Sequence, residues 1–164
     1  MFRIEKLARD HATGAFDCGS EPLNRFLSKH ALSSQQANAS QTYVGVKDGG
    51  IVGFHTLVAG EVGFDAATER LKKGLVRHPV PVMVLARLAV DRRWSGIGAG
   101  RGLLKDAALR ALNASSIVGA RALVVHAKDE GAGRFYLHFG FADGFDDPMH
   151  LYMLMKDLRA FAGQ

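Results

Sequence analysis

Four glycines at alternate positions, Gly96, Gly98, Gly100 and Gly102, separate a Val/Leu-rich run from an amphipathic stretch in "DRRWSGIGAGRGLLKDAALRAL", residues 91–112. Glycine propagates a helix poorly, so a helix start this bare needs another reason, and close approach of the backbone to a ligand supplies one. A helix N-terminus presents unpaired N–H groups and the positive end of the helix dipole, and glycines let a phosphate reach them. The spacing therefore reads as an anion cradle. It is not a P-loop, because Gly100 is followed by Arg101-Gly102-Leu103 where Gly-Lys-Ser/Thr would be needed. A dinucleotide fingerprint G-x-G-x-x-G fails too, since its third glycine falls on Arg101 in one register and on Leu103 in the other.

Such a cradle must sit where a strand runs into a helix. "VPVMVLARLAV", residues 80–90, predicts a long strand before the glycines, and Leu103, Leu104, Ala107, Ala108, Ala111 and Leu112 after them mark one apolar helix face. "RALVVHA" predicts a buried strand, so strand, helix and strand form a crossover with parallel strands. Residues 3–7 predict a first strand. Leu23, Phe26, Leu27 and Ala31 predict a helix with Ser20 as its cap and Pro22 in its first turn. "QTYVGVKDGGIVGFHTLVAG" reads as a hairpin turning at Asp48-Gly49-Gly50, and residues 61–79 as a long polar connection of the kind that often carries function. Asp129 caps a helix running through Phe139 and closed by Gly140, and "HLYMLM" predicts the last strand. The expected architecture is α/β, a mixed sheet with helices on both faces.

With 164 residues, about half of them apolar, residues 1–164 are expected to form a single domain. The N-terminus, MFRIEKLARD, scatters charge among its apolar residues, and nowhere do 18 or more apolar residues run together, so no signal peptide or membrane span is expected and the protein is predicted to be cytoplasmic with no membrane partner. The lone Cys18 makes no internal disulfide, fits a reducing compartment, and reads as a small buried hydrophobe rather than a nucleophile. A net charge of +5 with a pI near 9.6 favours anionic partners, nucleotide cofactor and nucleic acid alike.

At this point "LAVDRRWSGIGAGRGLL" resembles the GNAT superfamily of acetyl-CoA-dependent N-acetyltransferases, whose strand-loop-helix motif is Q/R-x-x-G-x-G/A before an apolar helix. Two registers fit, Arg93-x-x-Gly96-x-Gly98 and Ser95-x-x-Gly98-x-Gly100. The second matches the family spacing from Leu88-Ala89-Val90-Asp91 and to Leu103-Leu104, and puts Ser95 where the family carries Gln or Arg. The resemblance implies a mostly antiparallel sheet with one splayed parallel pair, and acetyl-CoA as cosubstrate with no metal. It implies that the amides of Ser95, Gly96, Gly98, Gly100 and Arg101 hold the pyrophosphate, while the backbone of Leu88 and Val90 pairs with the pantetheine arm.

"DEGAGRFYLHFGF", residues 129–141, resembles the family's later motif, in which a helical Tyr is followed by x-x-x-Gly-Phe; Tyr136 to Phe141 match it. The resemblance makes Tyr136 the general acid that protonates the leaving thiolate. A backbone N–H near Leu88 is expected to stabilise the oxyanion. No spacing singles out a base among Glu61, Asp65, Glu69 and Glu130, and His55, His126 and His138 read as structural histidines. A lysine amine would need a base at neutral pH, whereas an α-amine with a pKa near 7.7 is already partly free. The lack of a base leans toward an α-amine acceptor.

With "FDCGSEPLNRFL", "ASQTYVGV" and "DPMHLYM" included, the chain from about residue 7 to 158 resembles the TacT and AtaT type of acetyltransferase toxins. That resemblance implies an enzyme acetylating the α-amine of the amino acid on charged tRNA, a ribbon-helix-helix antitoxin as partner, and a homodimer. Arg77, Arg87, Arg92 and Arg93 are the expected tRNA contacts, within a basic set that also includes Arg70, Lys72 and Lys73. Arg87, inside the apolar strand, is expected to leave the sheet toward a cleft, since burial without a partner would be costly. Two alternatives stay open: a small amine or protein N-terminus as acceptor, and a non-catalytic module that binds CoA or a partner.

Overall fold

In a computed structural model, which describes residues 1–163, six strands pair in the order β1 (Arg3–Lys6), β2 (Gln41–Lys47), β3 (Gly50–Val62), β4 (Val80–Val90), β5 (Ala122–His126), β6 (His150–Leu154). β1 with β2, β2 with β3 and β5 with β6 are antiparallel, and β4 with β5 is parallel. The helices are α1 (Glu21–Arg25), α2 (Ala31–Gln36), α3 (Glu69–Lys72), α4 (Ala99–Val118), α5 (Glu130–His138) and α6 (Met155–Ala162). This is the mixed, mostly antiparallel sheet with one parallel pair that the resemblance implies. The parallel register runs only from Met83↔Leu123 to Leu85↔Val125, although β4 continues to Val90.

The chain packs as two compact units, one made of residues 1–58 and 86–107, the other of residues 59–85 and 108 onward. In the first unit, Phe26, Leu27 and Ala31 pack on Val44, Phe54 and Ala89, with the Phe54 ring 5.5 Å from Phe16 and 6.3 Å from Phe26. Each fully buried Phe or Leu there contributes about 1.5–3 kcal/mol. The expected single helix over this stripe is instead α1, a wider π-turn over Phe26–His30 and then α2, with the Ala31 N–H reaching back to the Phe26 carbonyl. Ser20 stands at the cap position, yet its side chain makes no capping bond; the carboxylate of Asp17 organises this entry by accepting the Gly19 amide and Asn24 Nδ2. Cys18 is half-buried against this core, not fully inside it.

The β2–β3 hairpin turns on two residues, because Asp48 and Gly49 both take positive φ, 52° and 77°, and Lys47 pairs with Gly50. Two successive left-handed residues make the turn whose twist suits a hairpin. In the second unit, Leu71, Val80, Val82, Val124, Tyr152 and Leu154 form the core. The expected polar connection over residues 61–79 is more ordered than its composition implied. β3 runs on to Val62, α3 is capped by Thr68 Oγ1 accepting the Leu71 amide, and Arg121 donates to the carbonyls of Leu71 and Lys73.

Candidate active site

The end of β4 is anchored by a buried acid. Asp91 is 1% exposed, and its carboxylate accepts the Arg93 amide at 2.9 Å, the Arg93 guanidinium at 3.0 and 3.2 Å, and the Asp17 amide at 3.0 Å. Burial works to raise its pKa, but Arg93 and the two amides outweigh it and hold the carboxyl below the usual range. Asp17 in turn holds the guanidinium of Arg92, and its own carbonyl accepts the Arg92 amide at 2.9 Å. Arg92, Gly19 and Asn24 pull the Asp17 carboxyl down to about 2. The short turn Arg92–Trp94 is thereby fixed at its start, ahead of the glycines.

From there the backbone turns outward. Gly96 and Gly98 have φ of +80° and +82°, the left-handed region that glycine enters without penalty, and α4 begins at Ala99. The first bond of α4 runs from the Gly102 amide to the Gly98 carbonyl at 3.1 Å. Among the described residues, the amides of Gly96, Ile97, Gly98, Ala99, Gly100 and Arg101 donate to no protein acceptor. A run of free donors around two left-handed glycines, at the positive end of a 20-residue helix, has the geometry of an anion-binding nest.

Two sequence expectations change here. The Ser95 amide bonds the Arg92 carbonyl at 3.4 Å, and its hydroxyl donates to the same oxygen at 3.0 Å, so Ser95 closes the preceding turn and is not a free donor. Gly102 belongs to packing, because a Cβ there would stand 3.3 Å from the Phe2 ring. Ile97 and Ala99, absent from the expected set, contribute donors in their place; a backbone role leaves no mark in the side chain. Beside the turn, Arg101 and Lys47 line a cavity of about 620 Å³ with the apolar side chains of Met1, Phe2, Ile4 and Ile97.

Leu88 and Val90 are half-buried and lie beyond the last β5-paired residue, Leu85, so the β5 pairing leaves their backbone free. Arg87 is half-buried on β4 and finds an aromatic partner: its guanidinium lies 3.5 Å from the centre of the Phe26 ring. Desolvation lowers its pKa. The other expected cations each hold a carboxylate, Arg92 with Asp17, Arg93 with Asp91, and Arg77 with Asp65 at 2.6 Å.

Tyr136 lies in the second unit on α5, whose N-terminus is capped by Asp129 accepting the Ala132 amide at 2.8 Å. Its side chain is buried between Phe135 and Phe141, ring centres 5.2 and 5.4 Å away, and the Tyr136 carbonyl accepts the Phe141 amide across the Gly140 turn, φ +102°. Desolvation raises the phenol pKa, so the hydroxyl keeps its proton at neutral pH. Among the base candidates, Asp65 pairs with Arg77, Glu69 with Lys72 at 3.6 Å and Glu130 with Arg134 at 4.0 Å. Buried His55 bonds Asp106 at 2.7 Å, exposed His126 bonds Asp147 at 2.7 Å and stacks on His150, and His138 packs edge-on against Phe139. Among the described residues no group of three metal-ligating side chains exists, and no helix is long and apolar enough to cross a membrane.

Comparison with known proteins adds the chemistry to this geometry. Residues 38–143 match the acetyltransferase (GNAT) domain family. The chain is 42% identical over 149 residues to a tRNA-acetylating toxin of Mycobacterium tuberculosis, covering 91% of this chain and 89% of that protein. Its fold superposes on AtaT complexed with acetyl-methionyl-tRNAfMet with a TM-score of 0.90 at 28% identity, covering 98% of each chain. It also superposes on a mutant AtaT bound to the C-terminus of the antitoxin AtaR and acetyl-CoA, with a TM-score of 0.83 at 29% identity over 100% of this chain and 99% of the other.

Proposed function

Because this chain belongs to the GNAT acetyltransferases, we propose that it moves the acetyl group of acetyl-CoA onto the α-amine of the amino acid on charged tRNA and so acts as a translation-blocking toxin. The observation that supports this most is the 42% identity to a tRNA-acetylating toxin along 91% of the chain. The six free amides from Gly96 to Arg101 fit the diphosphate of the donor, and Arg101 and Lys47 add positive charge beside them. The backbone of Leu88 and Val90 hydrogen-bonds the pantetheine arm. Acetyl-CoA is the cosubstrate and the chemistry calls for no metal.

The reaction balances without a protein base. The neutral amine attacks the thioester carbonyl carbon, a backbone N–H of β4 near Leu88 stabilises the developing oxyanion, and the C–S bond breaks. Tyr136 gives its proton to the leaving sulfur, and the acceptor nitrogen releases one to water. An α-amine with a pKa near 7.7 supplies enough free base at neutral pH, which agrees with carboxylates that are exposed or tied to cations. Arg77, Arg87, Arg92 and Arg93 contact the tRNA. The protein works in the cytoplasm as a homodimer, and a ribbon-helix-helix antitoxin neutralises it.

Labelled acetyl-CoA incubated with total charged tRNA tests the reading. Label on the aminoacyl group is expected, resolved by tRNA species, together with growth arrest on expression. Transfer to free polyamines with none to charged tRNA would overturn it.

A further inference from the structure

The second unit holds a cavity of about 530 Å³ that the proposed chemistry does not use. Five cations line it, Arg70, Lys73, Arg121, Lys156 and Arg159, and no carboxylate does. They come from three separate places: the turn around α3, the start of β5 and the first turns of α6. The remaining lining is small or apolar, Ala120, Leu154 and Met155.

The five are not equivalent. Arg121 is fixed, donating from Nε to the Leu71 carbonyl at 2.9 Å and from a terminal nitrogen to the Lys73 carbonyl at 3.0 Å. Arg70 is held by Asp157 at 3.0 Å. Among the described residues Lys73, Lys156 and Arg159 pair with no carboxylate, and all three are exposed. Like charges gathered around one concavity repel, and a fold that keeps them together gains from an external polyanion. Arginine forks and mobile lysines beside an open groove match phosphate oxygens, and such contacts position a nucleic acid without reading its sequence.

We propose that this five-cation groove grips consecutive phosphates of the tRNA backbone as a docking surface additional to the acetyl-transfer site. The proposal rests on charged tRNA being the acceptor. It joins Arg121, Lys156 and Arg159 to Arg70 and Lys73 of the basic set read from sequence, and includes none of Arg77, Arg87, Arg92 and Arg93.

The test is filter binding of full-length protein to bulk deacylated tRNA from 50 to 300 mM salt, comparing wild type with Lys73→Glu/Lys156→Glu/Arg159→Glu and the milder Lys73→Gln/Lys156→Gln/Arg159→Gln. Charge reversal should raise Kd about tenfold to hundredfold, and the neutral triple should flatten the log Kd against log salt slope by about one for each phosphate left unneutralised. The KM for charged tRNA should rise, while kcat, the KM for acetyl-CoA and transfer to a small amino-acid ester stay unchanged. Reversal at the exposed Lys29, outside the groove, should leave all of these alone. An unchanged tRNA Kd and slope in both triples would overturn the proposal, and so would loss of binding to a poly-glutamate peptide alone, which would assign the groove to an acidic protein segment. Acetyl transfer to charged tRNA by the wild type, read in parallel, keeps the two ideas apart: its presence with unchanged triples sinks only the groove, and its absence sinks the acceptor.

Discussion

The carboxylate of Asp91 accepts the backbone N–H of Asp17 at 3.0 Å across 74 positions of sequence. Asp91 follows β4 and caps the Arg92–Trp94 turn that leads to the glycines, and Asp17 lies ahead of α1, so one buried acid ties these two segments together. Replacing Asp91 with Ala leaves the Asp17 and Arg93 amides without their acceptor. A stability loss of about 2–3 kcal/mol is expected by denaturant titration, from hydrogen bonds to a charged group. A several-fold rise in Kd for acetyl-CoA should accompany it in calorimetry. Unchanged affinity would mean the turn holds its shape without this anchor.

Acid should loosen the same tether. Asp17 titrates at about 2 in the folded chain, and Asp91 is also depressed, whereas an unfolded aspartate titrates near 3.9. Between those values the unfolded chain binds more protons. The contribution of both groups is therefore complete above about pH 5 and drains away as pH falls through 4 toward 2. Tm measured from pH 6 to 2 should fall over that window, and Asp17→Asn should shrink the fall; an identical pH profile in the variant would remove Asp17 from the account.

Two glycines separate binding from folding. At Gly98 an added Cβ meets nothing within 4 Å, so Gly98→Ala carries only the left-handed backbone penalty, about 1–2 kcal/mol. It should weaken acetyl-CoA binding while the protein stays folded. At Gly53 a Cβ would come 2.6 Å from both the Ala89 carbonyl and a Leu103 methyl. Gly53→Ala should cost about 3 kcal/mol or more through overpacking. Circular dichroism melts and calorimetry on the pair check the contrast, and equal stabilities would contradict it.

Tyr136→Phe removes a proton and little volume. As a general acid, the hydroxyl is worth about 10²–10⁴-fold in kcat, with the KM for acetyl-CoA nearly unchanged. Since burial raises the phenol pKa above its ordinary 10, kcat of the wild type should show no alkaline fall from Tyr136 ionisation up to pH 10. A full-speed phenylalanine variant would take Tyr136 out of the chemistry.

Much of this protein is local in origin, and that part was readable from the residues. The Asp48-Gly49 turn, the Asp129 cap, the Gly140 stop and the strand running into bare glycines each depend on backbone preferences within a few positions, so residue types alone determine them. The glycine spacing read as an anion cradle for the same reason, while acetyl transfer came from the resemblance of that stretch and of the Tyr136 segment to the GNAT motifs. Tertiary structure decided what depends on partners distant in sequence. It turned the Ser95 amide back onto Arg92 and exposed the donors of Ile97 and Ala99 instead. It ended the β4–β5 pairing at Leu85, tied Asp17 to Asp91, laid Arg87 on Phe26, and gathered cations from residues 70 to 159 around one groove. A charge's meaning lies in which other groups share its few ångströms of space, and packing, which no short window of residues encodes, settles that.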